Sequence, residues 1–233
     1  ADYIDPSLHG VSPEDTDRPP LVIHLHGAPN DPANDGFPTA VIRPGESIDY
    51  LFGNDLEAAT LWYHDHSMGI TRLNVYAGPA GFYMIRGGPD DSVLDSRTGT
   101  KASLPGPAPR PGDGANKKYR EIPIVVQDRA FDANGGLFYP DSRAFFDGVE
   151  GPYIPETDVS PIWNPEFFGN VMVVNGRSWP RLVTERRRYR FRLLNGCDSR
   201  FLILKFDDPR VKGWQIGTAG GFLPRPLNLN DVA

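Results

Sequence analysis

Short runs of β-branched and aromatic residues, separated by turn residues, dominate the pattern of hydrophobic and polar positions along the 233-residue chain. Runs of this length, bounded by Gly, Pro, Asn and Asp, predict β-strands. No stretch keeps a helical period for more than a few turns, so long helices are not expected. The predicted strands are residues 21–26, 40–43, 47–52, 60–64, 81–86, 120–128, 171–174, 189–194 and 201–206.

One of these runs alternates in a regular way. Tyr189, Phe191 and Leu193 are separated by Arg190 and Arg192. Alternation with a period of two is typical of a strand that has one face in the core and the other in water. The pattern therefore predicts that the apolar side chains are buried and the two arginines are solvated.

Composition supports a chain made of strands and turns. Gly 25 and Pro 24 together form about a fifth of the sequence, which disfavours long helices. A Pro/Gly-rich segment at 89–118 resembles a linker rather than part of a core. We therefore predict an all-β chain with two blocks, residues 1–88 and 119–233, on either side of this linker.

Charge, hydropathy and cysteine content exclude several classes of protein. A net charge of −6 argues against a nucleic-acid partner. No run is long and apolar enough to cross a membrane, so no membrane partner is expected. The single cysteine, Cys197, excludes a disulfide or a cysteine-based zinc cluster within this chain.

Four of the five histidines lie in two short pairs, His24-Leu25-His26 and His64-Asp65-His66. Alternate side chains of a strand point to the same face, so each pair directs both imidazoles the same way. Two such strands side by side would bring four nitrogen ligands into one space. The pairs therefore predict a metal site.

The histidines alone leave the metal open, because imidazole binds zinc, copper, iron and nickel. A zinc hydrolase usually has a Glu or Asp nearby as ligand or base. A cupin-type iron site would have a Glu closely after its first pair, whereas Asp35 lies nine residues after His26 in a loop rich in Pro and Asn.

The residues around the pairs carry a specific resemblance. His24 to Gly27 and Trp62 to His66 resemble the first two of the four copper-binding motifs of multicopper oxidases. The longer segment 61–78 is similar to the branch that contains bacterial spore-coat laccases, bilirubin oxidase and phenoxazinone synthase. The second block is similar to the same branch at residues 137–140, 174–180, 189–196 and 215–221.

This resemblance implies a fold and an activity. The expected fold is a pair of cupredoxin-like Greek-key β-sandwich domains: domain one at 1–88, without its first strands, and domain two at 119–233, incomplete at its C-terminal end. The implied reaction oxidises phenolic or aromatic amine substrates and reduces O₂ to water. Copper is the implied cofactor, and the implied partners are dioxygen, a small aromatic reducing substrate and the remaining C-terminal cupredoxin domain. A secreted or spore-coat location is implied, with a cytoplasmic one left open.

The resemblance also implies a role for each site residue. His24 would bind the type 2 copper, His26 and His64 would share one type 3 copper, and His66 would bind the other. Asp35 matches the acid that relays protons during dioxygen reduction. Its alternative role is to cap the turn Asn34-Asp35-Gly36, and it could do both.

The departures from the family pattern limit what this chain does by itself. The third histidine pair and the His-Cys-His segment are missing, and Cys197 has no histidine beside it, so it is not the type 1 copper thiolate. The chain therefore resembles an internal portion that supplies half of the trinuclear copper ligands and is inactive in isolation. Two alternatives stay open: a cupredoxin-like copper-binding or scaffold protein without oxidase turnover, and a mononuclear zinc or copper site.

Overall fold

The computed structural model describes residues 11–88, 91–139 and 166–230. The ends of the two predicted domains, the first two residues of the predicted linker and Pro140 of one family-like segment lie outside the described residues. The limits predicted for the domains and the linker stay a prediction.

The first sheet carries both histidine pairs. It contains β1 (Ile23–His26), β2 (Thr60–Asp65) and β3 (Ala80–Met84), in that order and with antiparallel pairing throughout. A four-residue helix, α1 (Glu14–Asp17), precedes β1, and a seven-residue helix, α2 (Thr71–Ala77), connects β2 to β3. Neither helix in the described part of the chain has the length and apolarity needed to span a membrane.

The second sheet contains β4 (Glu121–Arg129), β5 (Val171–Val174), β6 (Arg177–Ser178) and β7 (Arg190–Asn195), in the strand order β6-β5-β4-β7. The central strand β4 runs parallel to the edge strand β7, while β5 pairs antiparallel with β4 and with β6. A separate antiparallel hairpin of β8 (Trp214–Thr218) and β9 (Gly221–Asn228) follows.

Six of the nine predicted strands are confirmed by β1, β2, β3, β4, β5 and β7. The prediction for 40–43 is wrong, because only Ile42 forms an isolated bridge, to Leu21. The predictions for 47–52 and 201–206 are also wrong. In the segment 201–206, Phe201 and Ile203 are each 96% exposed. Their side chains therefore pack on no neighbouring surface that would stabilise a strand there.

The prediction for the buried face of β7 is wrong, because an arginine is buried where the apolar side chains were expected to be. Arg192 is 5% exposed, whereas Phe191 is 36% and Leu193 54% exposed. The reason is a buried carboxylate at the start of β4, Glu121, whose Oε1 lies 2.6 Å from Nε of Arg192. Period-two alternation shows that the two faces differ, but an ion pair can make the charged face the buried one.

Glu121 is also the point at which the two sheets meet. Arg86, just after β3, places Nη2 2.7 Å from Glu121 Oε1, and Arg192 donates through Nη1 to Thr60 Oγ1 at the start of β2. Burial on its own would raise the pKa of Glu121, but the hydrogen bonds from Arg86 and Arg192 dominate and lower it to about 2. The carboxylate therefore stays charged and joins β2 and β3 to β4 and β7.

A second junction involves α2. The Tyr76 hydroxyl donates to the Phe138 carbonyl at 2.7 Å and accepts from the Ala130 amide at 2.8 Å. Its ring packs against Tyr139 and Phe167, with ring centroids 5.1 Å and 5.6 Å away. Because α2 begins five residues after His66, this junction holds the chain that leads away from the second histidine pair.

We predict that Glu121→Gln destabilises the protein by about 3 kcal/mol at pH 7, because it leaves the buried Arg192 without its partner charge. The pKa of Glu121 is lowered in the fold, so its stabilisation is fully present above the ordinary value of 4.5 and is lost as the pH falls towards about 2. The difference in the free energy of unfolding between wild type and variant, measured by denaturant unfolding, should therefore narrow as the pH falls from 4.5 towards about 2. Glu185→Gln is the control. Because the Glu185 side chain is 41% exposed, this variant should change the free energy of unfolding little. A difference in the free energy of unfolding that stays constant with pH would contradict this account.

Candidate metal centre

The pairing of β1 with β2 brings the two histidine pairs together. His24 lies opposite His64, and His26 lies opposite Trp62. Side chains two residues apart share a face of the sheet, so all four residues project from the same side. His66, just after β2, adds a fourth imidazole, and its ring centroid is 4.9 Å from that of His24 and 5.8 Å from that of His64. The structure therefore gathers the four histidines that the sequence singled out.

Three of the imidazoles present their ligand atoms to a common point. His24, His26 and His64 each offer a nitrogen, and these atoms lie within 4.8 Å of one another. His26 Nδ1 and His64 Nε2 are 3.2 Å apart. Imidazole nitrogens bind ions such as zinc at about 2.0–2.1 Å, so two nitrogens on one ion lie about 3 Å apart. His26 and His64 therefore fit a shared ion.

Hydrogen bonds from the ring nitrogens fix the form in which two of the histidines would bind. His24 Nδ1 donates to the Asp35 carbonyl, and His64 Nδ1 donates to the Asp65 carbonyl at 2.6 Å. Each bond places the proton on Nδ1 and leaves the Nε2 lone pair available. His66 Nδ1 is buried and, among the described residues, has no hydrogen-bond partner. A bound ion nearby would give such an orphaned nitrogen a partner.

The surroundings favour neutral imidazoles. Burial, followed by the proximity of His24 and His66, lowers the pKa of His26. Burial also lowers the pKa of His64; the hydrogen bond to the Asp65 carbonyl opposes this, and the other three histidines add to it. A neutral imidazole is the form that binds a metal, so both shifts extend the pH range in which these side chains can act as ligands.

Trp62 packs directly on the two histidines of the shared site. Its ring centroid is 5.1 Å from that of His26, in a stacked arrangement, and 4.4 Å from that of His64. Contact with two ligand rings restricts their rotation and keeps water away from one side of them. Trp62 therefore has a packing role beside the two histidines.

Asp35 lies beside His24 in the loop after β1. Its carbonyl holds His24 Nδ1, and its carboxylate Oδ1 is 3.6 Å from the same nitrogen, with the side chain 45% exposed. The following residue, Gly36, has a φ of +76°. Asp35 is therefore part of the turn and also a neighbour of the metal centre, and its predicted role in proton relay stays a prediction.

Sequence reasoning did not assign a role to Asp65, which lies between the histidines of the second pair. It is fully buried on the face of β2 opposite the imidazoles. The available signal was its strand position: Leu61, Tyr63 and Asp65 share one face, and a carboxylate there needs several hydrogen-bond donors. Cys197 lies elsewhere, with Sγ 3.7 Å from the Val126 carbonyl. Burial raises its pKa to about 11, unlike that of a metal-binding thiol.

Comparison with known proteins shows which family the chain resembles. The multicopper oxidase family model matches residues 16–90, which include both histidine pairs. A laccase from Bacillus stratosphericus is 36% identical over 97% of this chain and 40% of its own length. The laccase of Bacillus subtilis (strain 168) is 33% identical with the same coverage. Bilirubin oxidase from Albifimbria verrucaria is 33% identical over 91% of this chain and 31% of that protein.

Solved structures agree with this result. The McoA multicopper oxidase 2F4 variant from Aquifex aeolicus superimposes with a TM-score of 0.63 and 28% identity, over 90% of this chain and 39% of that one. The laccase-like multi-copper oxidase CueO from Ochrobactrum sp. has a TM-score of 0.63 at 24% identity, over 91% and 39%, and supports the fold alone.

Residues 16–90 therefore carry a domain of the multicopper oxidase family, a family of copper oxidoreductases, and the similarity of nearly the whole chain to Bacillus laccases and bilirubin oxidase confirms the branch expected from the sequence. The expected all-β, cupredoxin-like fold is confirmed as well. The chain spans about two fifths of the length of the Bacillus laccases it matches. The four-imidazole donor set fits copper.

We predict that Gly36→Ala disturbs the centre by pushing the Asp35 turn away from β1. A Cβ at residue 36 would lie 2.5 Å from the Ile23 carbonyl oxygen and 2.9 Å from His24 Cα. Gly45→Ala is the matched control, since its φ of +89° is similar and nothing lies within 4 Å. Thermal unfolding should show Gly36→Ala costing about 1 to 3 kcal/mol more than the control. Equal stability of the two variants would show that the close approach of Gly36 to β1 is unimportant.

Proposed function

We propose that this chain is part of a laccase-like oxidase and supplies half of the ligands of its trinuclear copper centre. The observation that carries the proposal is the convergence of four imidazoles, with ligand nitrogens of His24, His26 and His64 within 4.8 Å of one another. Copper bound there would supply dioxygen with the electrons that a separate copper site takes from a reducing substrate, and dioxygen would be reduced to water.

The proposed ligand roles are those that the resemblance to multicopper oxidases implies, and the geometry of the rings supports them. His26 and His64 would share one type 3 copper, and the 3.2 Å separation of His26 Nδ1 and His64 Nε2 supports this. His24, held through Nδ1 by the Asp35 carbonyl, would present Nε2 to the type 2 copper. His66 would bind the second type 3 copper. In each case the protein's task is to hold a neutral imidazole in a fixed orientation.

Asp35 is proposed as a proton donor to the centre. Reduction of O₂ to water consumes protons as well as electrons, so a carboxylate that exchanges protons with solvent is needed close by. The Asp35 side chain is 45% exposed and lies 3.6 Å from His24 Nδ1, which supports this role. Its turn-forming backbone and its carboxylate would then serve different purposes.

The rest of the proposed enzyme lies outside this chain. The matched Bacillus laccases are about two and a half times as long, since the chain covers 40% of their length. We propose that a C-terminal cupredoxin domain completes the copper centre and carries the blue copper that oxidises phenols or aromatic amines. The names laccase and bilirubin oxidase among the relatives support a small aromatic reducing substrate. A secreted or spore-coat location is proposed on the same likeness.

One observation favours a simpler second function. Three histidine nitrogens already lie within 4.8 Å of one another without any further domain, which is sufficient to bind a single copper or zinc ion. A copper-binding protein without oxidase turnover would show metal binding but no oxygen consumption with an aromatic donor. Oxygen uptake by the copper-loaded protein therefore separates the two functions.

We predict that His26→Ala in the complete copper-loaded oxidase abolishes oxygen consumption and lowers the copper content of the protein. Anaerobic reduction of the blue copper by an aromatic donor should continue, because that site lies elsewhere. His9→Ala is the matched control, since His9 is the one histidine outside the two pairs. An oxygen electrode and metal analysis give both readings. Steady-state oxygen uptake that survives in His26→Ala would refute the ligand assignment.

We also predict that Asp35→Asn slows oxygen reduction by about 100-fold while copper content is unchanged, because the amide cannot donate the proton. The backbone carbonyl that holds His24 is retained in this variant. Asp31→Asn is the control in the same loop, where the carboxylate accepts from Ala33 and Asn34 and from no other described residue. If both variants turn over at the wild-type rate, Asp35 is a turn residue only.

A further inference from the structure

We propose that Asp65 is a positioning residue that fixes the two histidine pairs relative to each other from the opposite face of the sheet. The inference rests on the proposed function, since it assigns Asp65 a role at the proposed copper centre. Asp65 is fully buried and separates His64 from His66 in sequence. Its side chain points away from the imidazoles, so it acts through the backbone that carries them.

The carboxylate connects the residue just before β1 to the chain just after β2. Oδ1 accepts from the Val22 amide at 2.9 Å and from the Ser67 hydroxyl at 2.8 Å, and Oδ2 accepts from the Ser67 amide at 3.0 Å. Val22 lies two residues before His24, and Ser67 directly follows His66. One side chain therefore holds the chain that enters the first pair and the chain that leaves the second.

Two further hydrogen bonds, each accepted by a backbone carbonyl, complete this connection. The His66 amide donates to the Val22 carbonyl at 2.9 Å, so Val22 is held to the second pair through both its N–H and its C=O. The carbonyl of Asp65 itself accepts from His64 Nδ1 at 2.6 Å, which sets the direction of His64 Nε2. A displacement of residue 65 would therefore be transmitted to His64, to His66 and to the start of β1.

A carboxylate is specifically suited to this position. It offers only acceptors, and here it meets three neutral donors, two amides and one hydroxyl. An asparagine of the same shape offers one acceptor oxygen and one NH₂ group. Whichever way it is turned, its NH₂ group would face either the Val22 N–H or the Ser67 N–H. Asp65→Asn thus preserves volume but forces one of the two strand ends to move.

Asp65→Asn is therefore the test, and Asp128→Asn is its matched control. Asp128 is also fully buried and also accepts from three donors, the Gly169 and Asp198 amides and Arg200 Nε. It lies in the second sheet and has no hydrogen bond to either histidine pair. Each variant loses a hydrogen bond from a buried carboxylate, and Asp128→Asn also loses the ion pair with Arg200, so general destabilisation is at least as large in the control.

Two readouts distinguish a positioning role from a structural one. In the metal-free protein, ¹H–¹⁵N correlation spectra of the imidazoles report the geometry and tautomers of the histidines without copper. In titrations with Cu²⁺, we expect Asp65→Asn to bind about 10- to 100-fold more weakly and to give an altered electron paramagnetic resonance spectrum. Asp128→Asn should retain both the imidazole resonances and the copper spectrum of wild type.

Wild-type imidazole spectra and copper affinity in Asp65→Asn would overturn the inference, and so would equal losses in the two variants. Failure of wild type itself to bind Cu²⁺ would instead refute the proposed function, while the metal-free imidazole spectra would still decide the role of Asp65. If Asp65→Asn does not fold, Ser67→Ala replaces it. That variant removes one of the three donors and should shift the His64 and His66 resonances; unchanged resonances would overturn the inference.

Discussion

The antiparallel register between β1 and β2 is the constraint on which the candidate centre depends. It places His24 opposite His64, and alternation along each strand then puts His26 on the same face. A slip of one residue would turn one pair to the other side of the sheet and separate the ligands. Backbone pairing between the strands sets this register. The buried Asp65 carboxylate reinforces it by accepting a hydrogen bond from the Val22 amide, at the point where the two histidine pairs meet.

The strand β2 is held at both ends by charged or polar groups that lie away from the imidazoles. At its start, Thr60 accepts a hydrogen bond from Arg192, which is neutralised by Glu121. At its end, Asp65 ties it to the chain entering β1. A rigid support of this kind matters for a metal centre, because ligand orientation and the form of each imidazole decide how an ion is bound. The second sheet thus contributes to the centre without supplying a ligand.

Much of this arrangement follows from the sequence, and the remainder depends on tertiary partners. The two H-x-H pairs in strand-like runs were sufficient to predict four converging imidazoles, because strand geometry is local. The buried face of β7 was predicted wrongly, because periodicity does not show that the Glu121 carboxylate forms an ion pair with Arg192 on that face. The strand at 201–206 was wrong for a related reason: its apolar residues need a neighbouring surface, and Phe201 lies almost fully exposed. His24 and His64 each donate a hydrogen bond to a backbone carbonyl, and no side-chain pattern encodes these acceptors.

Anomalous X-ray diffraction at the copper absorption edge, from crystals of the copper-loaded protein, tests the central claim most directly. The account predicts an anomalous peak within bonding distance, about 2 Å, of both His26 Nδ1 and His64 Nε2, with further copper beside His24 and His66. Copper bound only at other residues, or four imidazoles that bind no metal while the rest of the protein is ordered, would contradict it.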